Sequence, residues 1–250
     1  MLLPLHDDNP LKRIRFQYIT LVIIVACAAI FLYQVALPNG ADREFIYGFG
    51  AIPSVIFGSQ NLPVGLVHAP WPSALLTSMF LHGGWMHLIG NMLFLWVLGD
   101  NVEDAMGHKR FIIFYIACGL LAALIHAASE PSSQVPMIGA SGAVSGVIGA
   151  YLMLYPKTPI KTLVFRFIVD LPAWVVLGIW IGLQLINVVT SSGGGVAWWA
   201  HVGGFFAGVI LIIPMRHKDI KLFGRSVTAR KATGFSLHKS RSRIPDTGKK

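Results

Sequence analysis

The chain has few charged residues for its length of 250 residues. Asp, Glu, Lys and Arg make up 12% of it, and hydrophobic residues make up 54%. A soluble globular domain has about a quarter of its residues charged. The composition therefore excludes an ordinary soluble domain and indicates a protein whose solvent is lipid.

Cysteine is also scarce, and the sequence shows no convincing internal repeat. The two cysteines, Cys27 and Cys118, each lie inside an apolar run, where a thiol behaves as a small hydrophobic side chain, so no disulfide is expected. The lack of a repeat disfavours the transporter folds that are built from duplicated halves.

The apolar residues occur in six runs of roughly 18 to 22 residues, the length that crosses a bilayer as a helix. The first run is too long for a signal peptide and is not followed by a convincing cleavage site. We therefore predict an all-α polytopic membrane protein with six transmembrane helices, at residues 16–37, 82–99, 110–128, 137–155, 171–190 and 198–215.

The positive charge predicts how these helices are oriented. A formal charge of +9 is also typical of nucleic-acid-binding proteins, but 11 of the 20 Lys and Arg residues lie in segment 216–250, next to the last helix. If both termini are cytoplasmic, 19 of the 20 lie on the inside and only Arg43 lies outside. We predict a multi-pass protein of the bacterial inner (plasma) membrane that does not bind nucleic acid.

The predicted organisation has three parts. Residues 1–15 form a cytoplasmic segment, residues 16–215 form the membrane domain, and residues 216–250 form a basic cytoplasmic tail, which we expect to be disordered. The first outer connection, 38–81, is too apolar for a solvated loop and is expected to lie in the membrane interface.

Four polar residues are predicted to share one depth in the outer part of the bilayer. His87 and Asn91 lie in the second predicted helix, Ser141 in the fourth and His201 in the sixth, and all three helices enter from the outside. Peptide hydrolysis needs a nucleophile, a base and donors for the oxyanion. Ser141 is the candidate nucleophile, His201 the candidate base, and His87 and Asn91 are candidate oxyanion donors.

Each of these residues also has a simpler structural interpretation. A serine in a glycine-rich helix is more often a packing residue, and a single membrane histidine is more often a hydrogen-bonded polar group. It is their coincidence at one depth that favours catalysis. No acidic residue is predicted well inside a helix, so a Ser-His dyad is expected rather than a triad with a carboxylate, and neither a metal nor a cofactor is expected.

The residues resemble the rhomboid family of intramembrane serine proteases. The family pattern is His-x-x-x-Asn, then Gly-x-Ser-Gly, then Ala-His-x-x-Gly, and it occurs here in order at His87 to Asn91, Gly139 to Gly142 and Ala200 to Gly204. The resemblance implies a Ser141–His201 dyad with the Ser141 N–H, Asn91 and His87 around the oxyanion. It also implies cleavage of single-pass membrane proteins near the outer end of their transmembrane helix.

The chain departs from the family at several points. The first outer loop lacks the Trp-Arg pair that many members carry. Ser145 stands where some members have an aromatic ring against the histidine, so what orients His201 is open. Glu103 and Arg110, around Gly107, resemble the family's inner loop and could form a local ion pair.

Three other functions are compatible with parts of the sequence. A relative without protease activity would bind membrane clients, although such relatives generally lack the serine or the histidine. A transporter or channel would use the histidines as an ion path, and a metalloprotease would bind its metal through His82, His87 and His201. We also hypothesise that the fifth predicted helix, with Trp174 and Trp180, forms the lateral entrance through which a substrate helix reaches the site.

Overall fold

The structure is a computed structural model that describes residues 2–38, 40–64, 66, 68–190 and 196–224. It is mostly helical. The elements in chain order are β1 (Leu2–Asp7), α1 (Tyr18–Ala36), α2 (Ala41–Phe49), α3 (Pro53–Ile56), α4 (Trp71–Thr77), a 3₁₀ turn (Ser78–Phe80), α5 (Trp85–Met106), α6 (His108–Ser129), α7 (Ser141–Leu154), β2 (Pro159–Val164), β3 (Phe167–Pro172), α8 (Ala173–Thr190) and α9 (Trp198–Met215).

Each of the six predicted apolar runs coincides with one long helix, although the lengths differ. Among the described residues, α1, α6, α8 and α9 are long and apolar enough to cross a membrane. Helix α5 has 22 residues but ends in a charged stretch, and α7 has only 14 residues. Four candidate spans in a mostly helical chain make this an integral membrane protein, and six spans remain a prediction.

Helix α5 continues past the predicted end of the second run at Gly99. It runs on to Met106 and stops at Gly107, whose φ of 79° suits glycine. The prediction that no acidic residue lies well inside a helix was therefore wrong, because this stretch contains Asp100, Glu103 and Asp104.

Two carboxylates of this stretch, those of Glu103 and Asp104, accept hydrogen bonds from the N-terminal part of the chain. Glu103 accepts hydrogen bonds from the Thr20 backbone N–H (2.9 Å) and hydroxyl (2.7 Å), and Nδ1 of His108 contacts the same carboxylate. Asp104 accepts the backbone N–H groups of Arg13 (2.6 Å) and Ile14 (2.8 Å). Arg110 does not pair with Glu103, since it donates to the carbonyl of Met215 instead.

A small antiparallel sheet corrects the all-α prediction. Its strand order is β1-β2-β3, with Leu2 opposite Val164 and Pro159 opposite Pro172. The loop predicted between the fourth and fifth runs is thus a hairpin with a two-residue turn. The sequence did not reveal it because β1 and β2 pair over a separation of about 160 residues, which no local pattern reports.

The centre of the molecule is α7, which is buried along most of its length. Small residues bring α9 against it: a side chain at Gly204 would contact the carbonyl of Gly142, and one at Gly208 would contact the carbonyl of Gly146. Close approach of this kind requires glycine on both helices. Helix α7 begins at Ser141 and α9 carries His201, so this contact determines how the two residues are placed.

The segments at the two ends of the bundle pack against it. The first outer connection contains α2, α3 and α4, and Gly139 donates its N–H to the carbonyl of Ser78 at 2.9 Å. Of the predicted tail 216–250, residues 216–224 pack against the bundle, with the His217 N–H donating to the Ala105 carbonyl at 2.9 Å. The predicted disorder of residues 225–250 lies outside the described residues.

Candidate active site

One cavity of about 700 Å³ brings together the four residues selected from the sequence. His87 and Asn91 line it from α5, Ser141 from the start of α7 and His201 from the first turn of α9. The four residues thus line a single space between three helices. The cavity is large enough for an extended peptide segment of a few residues.

Ser141 occupies the first position of α7, directly after a turn that needs glycine. Gly139 has φ 118°, and a Cβ there would lie 2.7 Å from two ring atoms of His87. Ala140, the residue before the helix, provides no side-chain cap. The first backbone N–H groups of a helix have no intrahelical acceptor, so the start of α7 offers donors beside the Ser141 hydroxyl.

Asn91 is buried in this cavity with an unused donor. Its side chain is 8% exposed, and within the described part of the chain its Nδ2 has no hydrogen-bond partner. An unpaired buried amide N–H₂ costs free energy, so such a group calls for an explanation. A ligand oxygen in the cavity would satisfy it.

His87 can present a second donor. The Gly83 backbone N–H points at its Nδ1 at 3.4 Å, a long bond in which Nδ1 is the acceptor. A neutral imidazole that accepts at Nδ1 carries its proton on Nε2. That N–H lies on the side of the ring next to the Gly139 turn, because a Cβ on Gly139 would contact Nε2.

His201 is held by residues that the sequence analysis did not connect to it. Its Nδ1 lies 2.9 Å from Oε1 of Gln184, in α8. The ring of Trp198 stands nearly perpendicular to the imidazole with centroids 5.8 Å apart, and Trp180 lies at 6.1 Å. Gln184 could be recognised from the sequence as a polar residue in an apolar run, but its contact with α9 could not.

Ser145 does not take part in this arrangement. Its hydroxyl donates to the Ser141 carbonyl one turn earlier, at 2.6 Å. Its single proton is therefore already used, and Ser145 does not replace the aromatic ring that some rhomboids place against the histidine.

Two further histidines lie near the cavity. His126 of α6 lines it, and the ring of His82 contacts that of His87 with centroids 5.2 Å apart. In the ranges that the structure describes, no three His, Cys, Asp or Glu side chains are placed to hold a metal ion. The three histidines of the metalloprotease alternative therefore do not form a cluster of that kind.

The comparisons with known proteins identify the family of the chain. Residues 70–218 match the Rhomboid domain, so the chain belongs to the rhomboid family. Among similar proteins, Rhomboid protease GluP of Bacillus subtilis is 34% identical over 141 residues, which is 56% of this chain and 26% of that protein. Rhomboid protein 1, mitochondrial, of Saccharomyces cerevisiae is 30% identical over 227 residues, 81% of this chain and 63% of the relative.

A third relative, Rhomboid protease AarA of Providencia stuartii, is 24% identical over 208 residues, 78% of this chain and 71% of the relative. The chain thus spans between about a quarter and two thirds of the length of the first two relatives. The family matched over this region is the one that the motifs at His87, Ser141 and His201 resemble.

Proposed function

We propose that this protein is an intramembrane serine endopeptidase that cleaves single-pass membrane proteins through a Ser141–His201 dyad. The observation that carries the proposal is the cavity that Ser141, His201 and Asn91 line together, with the buried Asn91 Nδ2 lacking a hydrogen-bond partner among the described residues. A nucleophile, a base and a donor without an acceptor are the parts that acyl transfer needs. The protease names of the relatives support the same reaction.

In the proposed first step, Nε2 of His201 takes the proton of the Ser141 hydroxyl while Oγ attacks the scissile carbonyl carbon. The negative charge that develops on the carbonyl oxygen is stabilised by the Ser141 N–H, Asn91 Nδ2 and the Nε2–H of His87. The tetrahedral intermediate then breaks the C–N bond, and His201 returns the proton to the leaving amine. The product of this step is an acyl-enzyme on Ser141.

Water completes the cycle. His201 takes a proton from a water molecule, which attacks the acyl carbonyl, and the Ser141 oxygen leaves with that proton. The predicted substrate is a transmembrane helix that unwinds easily near its outer end, because the peptide bonds of a stable helix are shielded. Six spans, both termini in the cytoplasm of a bacterium and a site open to the outside form part of the same proposal.

The proposal is tested with Ser141→Ala and the matched control Ser145→Ala, which removes a hydroxyl one turn along the same helix. The purified variants are reconstituted with a single-pass substrate that carries helix-breaking residues near its outer end. We expect Ser141→Ala to lose at least about 10³-fold in rate. Ser145→Ala is expected to keep most of the activity.

A fluorophosphonate probe removes the dependence on a suitable substrate. It should label the wild type and Ser145→Ala covalently but leave Ser141→Ala unlabelled. Substrate cleavage that persists in a folded Ser141→Ala protein would overturn the nucleophile assignment. A wild type that the probe does not label would favour the alternative of a client-binding protein without protease activity.

A further inference from the structure

Gln184 contacts two groups that together determine the direction of its amide. Its Nε2 donates to the Trp180 carbonyl one turn earlier in α8, at 3.1 Å, which leaves Oε1 facing His201 Nδ1 at 2.9 Å. A carbonyl oxygen only accepts hydrogen bonds. Nδ1 of His201 must therefore carry the proton, and the lone pair of the neutral ring is on Nε2.

We propose that Gln184 is a positioning residue that selects the tautomer of His201 and so prepares Nε2 to act as the base. The inference rests on the proposed function, because a free Nε2 lone pair matters for catalysis only if His201 accepts the Ser141 proton. Gln184 would then be the residue that orients His201, since α7 carries Ser145 at the position where some rhomboids have an aromatic ring.

The surroundings of the ring make a neutral partner the suitable one. Gln184 is 7% exposed, and the α7 and α8 residues that line the cavity, such as Ser141 and Trp180, carry no charge. The titratable groups that face His201 are His87 of α5 and His126 of α6, and Glu130 lines the same cavity. A carboxylate behind the histidine would be costly at membrane depth, whereas an amide orients the ring without a charge.

The position of the proton can be measured without any catalysis. Protein labelled with ¹⁵N-histidine is reconstituted, and the ring nitrogens of His201 are assigned by comparison with His201→Ala. We expect a protonated Nδ1 and an unprotonated Nε2 in the wild type, and loss of this preference in Gln184→Ala. A wild-type spectrum with the proton on Nε2 would overturn the proposal.

Kinetics test the same assignment with Gln184→Ala, Gln184→Glu and the control Asn187→Ala. Asn187 lies in the same helix, and its amide also donates to the carbonyl one turn earlier, at 2.9 Å from Leu183, but it does not line the cavity. We expect kcat to fall about tenfold in Gln184→Ala, which corresponds to one lost hydrogen bond. Asn187→Ala should cleave at the wild-type rate.

Gln184→Glu gives the readout that a purely structural role would not produce. A carboxylate at Nδ1 stabilises the imidazolium. As the pH falls, His201 is therefore protonated, and lost as a base, at a higher pH than in the wild type. The acid limb of the pH–rate profile should move up by about one pH unit, with activity restored above it. Unchanged profiles and rates in both Gln184 variants would contradict the role of Gln184, whereas cleavage by Ser141→Ala would instead contradict the proposed function.

Discussion

Asp7 is a carboxylic acid buried where β1 meets the C-terminal part of α7. The Tyr151 hydroxyl donates to its carboxylate at 2.5 Å. Burial raises the pKa of Asp7 to about 7 from an ordinary value of 3.8, the nearby Asp100 and Asp8 add to the rise, and the hydrogen bond from Tyr151 opposes it. The folded protein therefore favours the protonated acid.

This makes stability depend on pH between about 4 and 7. Because Asp7 binds its proton more tightly in the folded state than in the unfolded state, its contribution to stability falls as the pH rises through that window. We expect Asp7→Asn, which keeps an oxygen for Tyr151, to raise the midpoint of thermal unfolding at pH 8 and to change it little at pH 4. Asp42→Asn, the same substitution at an exposed position of α2, is the control and is measured at both pH values.

If Asp7→Asn shifted the unfolding midpoint equally at pH 4 and pH 8, titration of this carboxyl would not be the cause. Tryptophan fluorescence during heating in detergent micelles measures both midpoints. The comparison needs no substrate and is independent of the proposed activity.

Residue identities were easier to predict from the sequence than residue contacts. Ser141, His87, Asn91 and His201 could be selected because polar side chains are costly in apolar runs. The contact between Gln184 and His201 could not, because it joins two helices whose facing sides depend on the whole bundle. The sequence likewise allowed a pair between Glu103 and Arg110, but the structure places His108 against Glu103.

Among the secondary-structure elements, the contact of α7 with α9 sets the geometry on which the proposed chemistry depends. Gly208 packs so closely on α7 that an added Cβ would contact the Gly146 backbone, including its carbonyl oxygen. Backbone atoms cannot rotate away as a flexible side chain can. An extra methyl group at this point must therefore separate the two helices.

We expect Gly208→Ala to destabilise the protein by about 1–3 kcal/mol through overpacking. Gly178→Ala is the matched control, because a Cβ at Gly178 in α8 would meet no atom within 4 Å, and alanine favours a helix over glycine. Thermal unfolding can be followed by the reaction of the buried Cys27 and Cys118 with a thiol-specific dye. Equal midpoints for the two variants would contradict the close-packed interface.

The elements themselves were predictable to different degrees. Apolar runs report helices directly, so among the described residues each predicted run contains a helix, with shifts of a few residues at most ends. The extension of α5 to Met106 was missed because its acidic residues resemble a loop until their partners are known. The sheet was missed because strand pairing between β1 and β2 is set by folding of the whole chain.

At the scale of the whole molecule, basic side chains gather at the end of the bundle away from the cavity. Arg13 forms an ion pair with Asp219, and Arg110 reaches the carbonyl of Met215, so three distant parts of the sequence meet there. Arg43 lies in α2, within the first predicted outer connection. This arrangement supports the orientation predicted from the count of Lys and Arg, in which the basic end is cytoplasmic.

Labelling of introduced cysteines tests that orientation. Gln60→Cys and Lys218→Cys place thiols at exposed positions near opposite ends, and the native Cys27 and Cys118 are buried and serve as the unlabelled background. In intact spheroplasts a membrane-impermeant maleimide should label position 60 and leave position 218 unlabelled until the membrane is permeabilised. The proposed site opens on the same side as position 60. Labelling of position 218 in intact spheroplasts would therefore make the cavity open to the cytoplasm, and the bonds cleaved in the substrate would have to lie on the cytoplasmic side of the membrane.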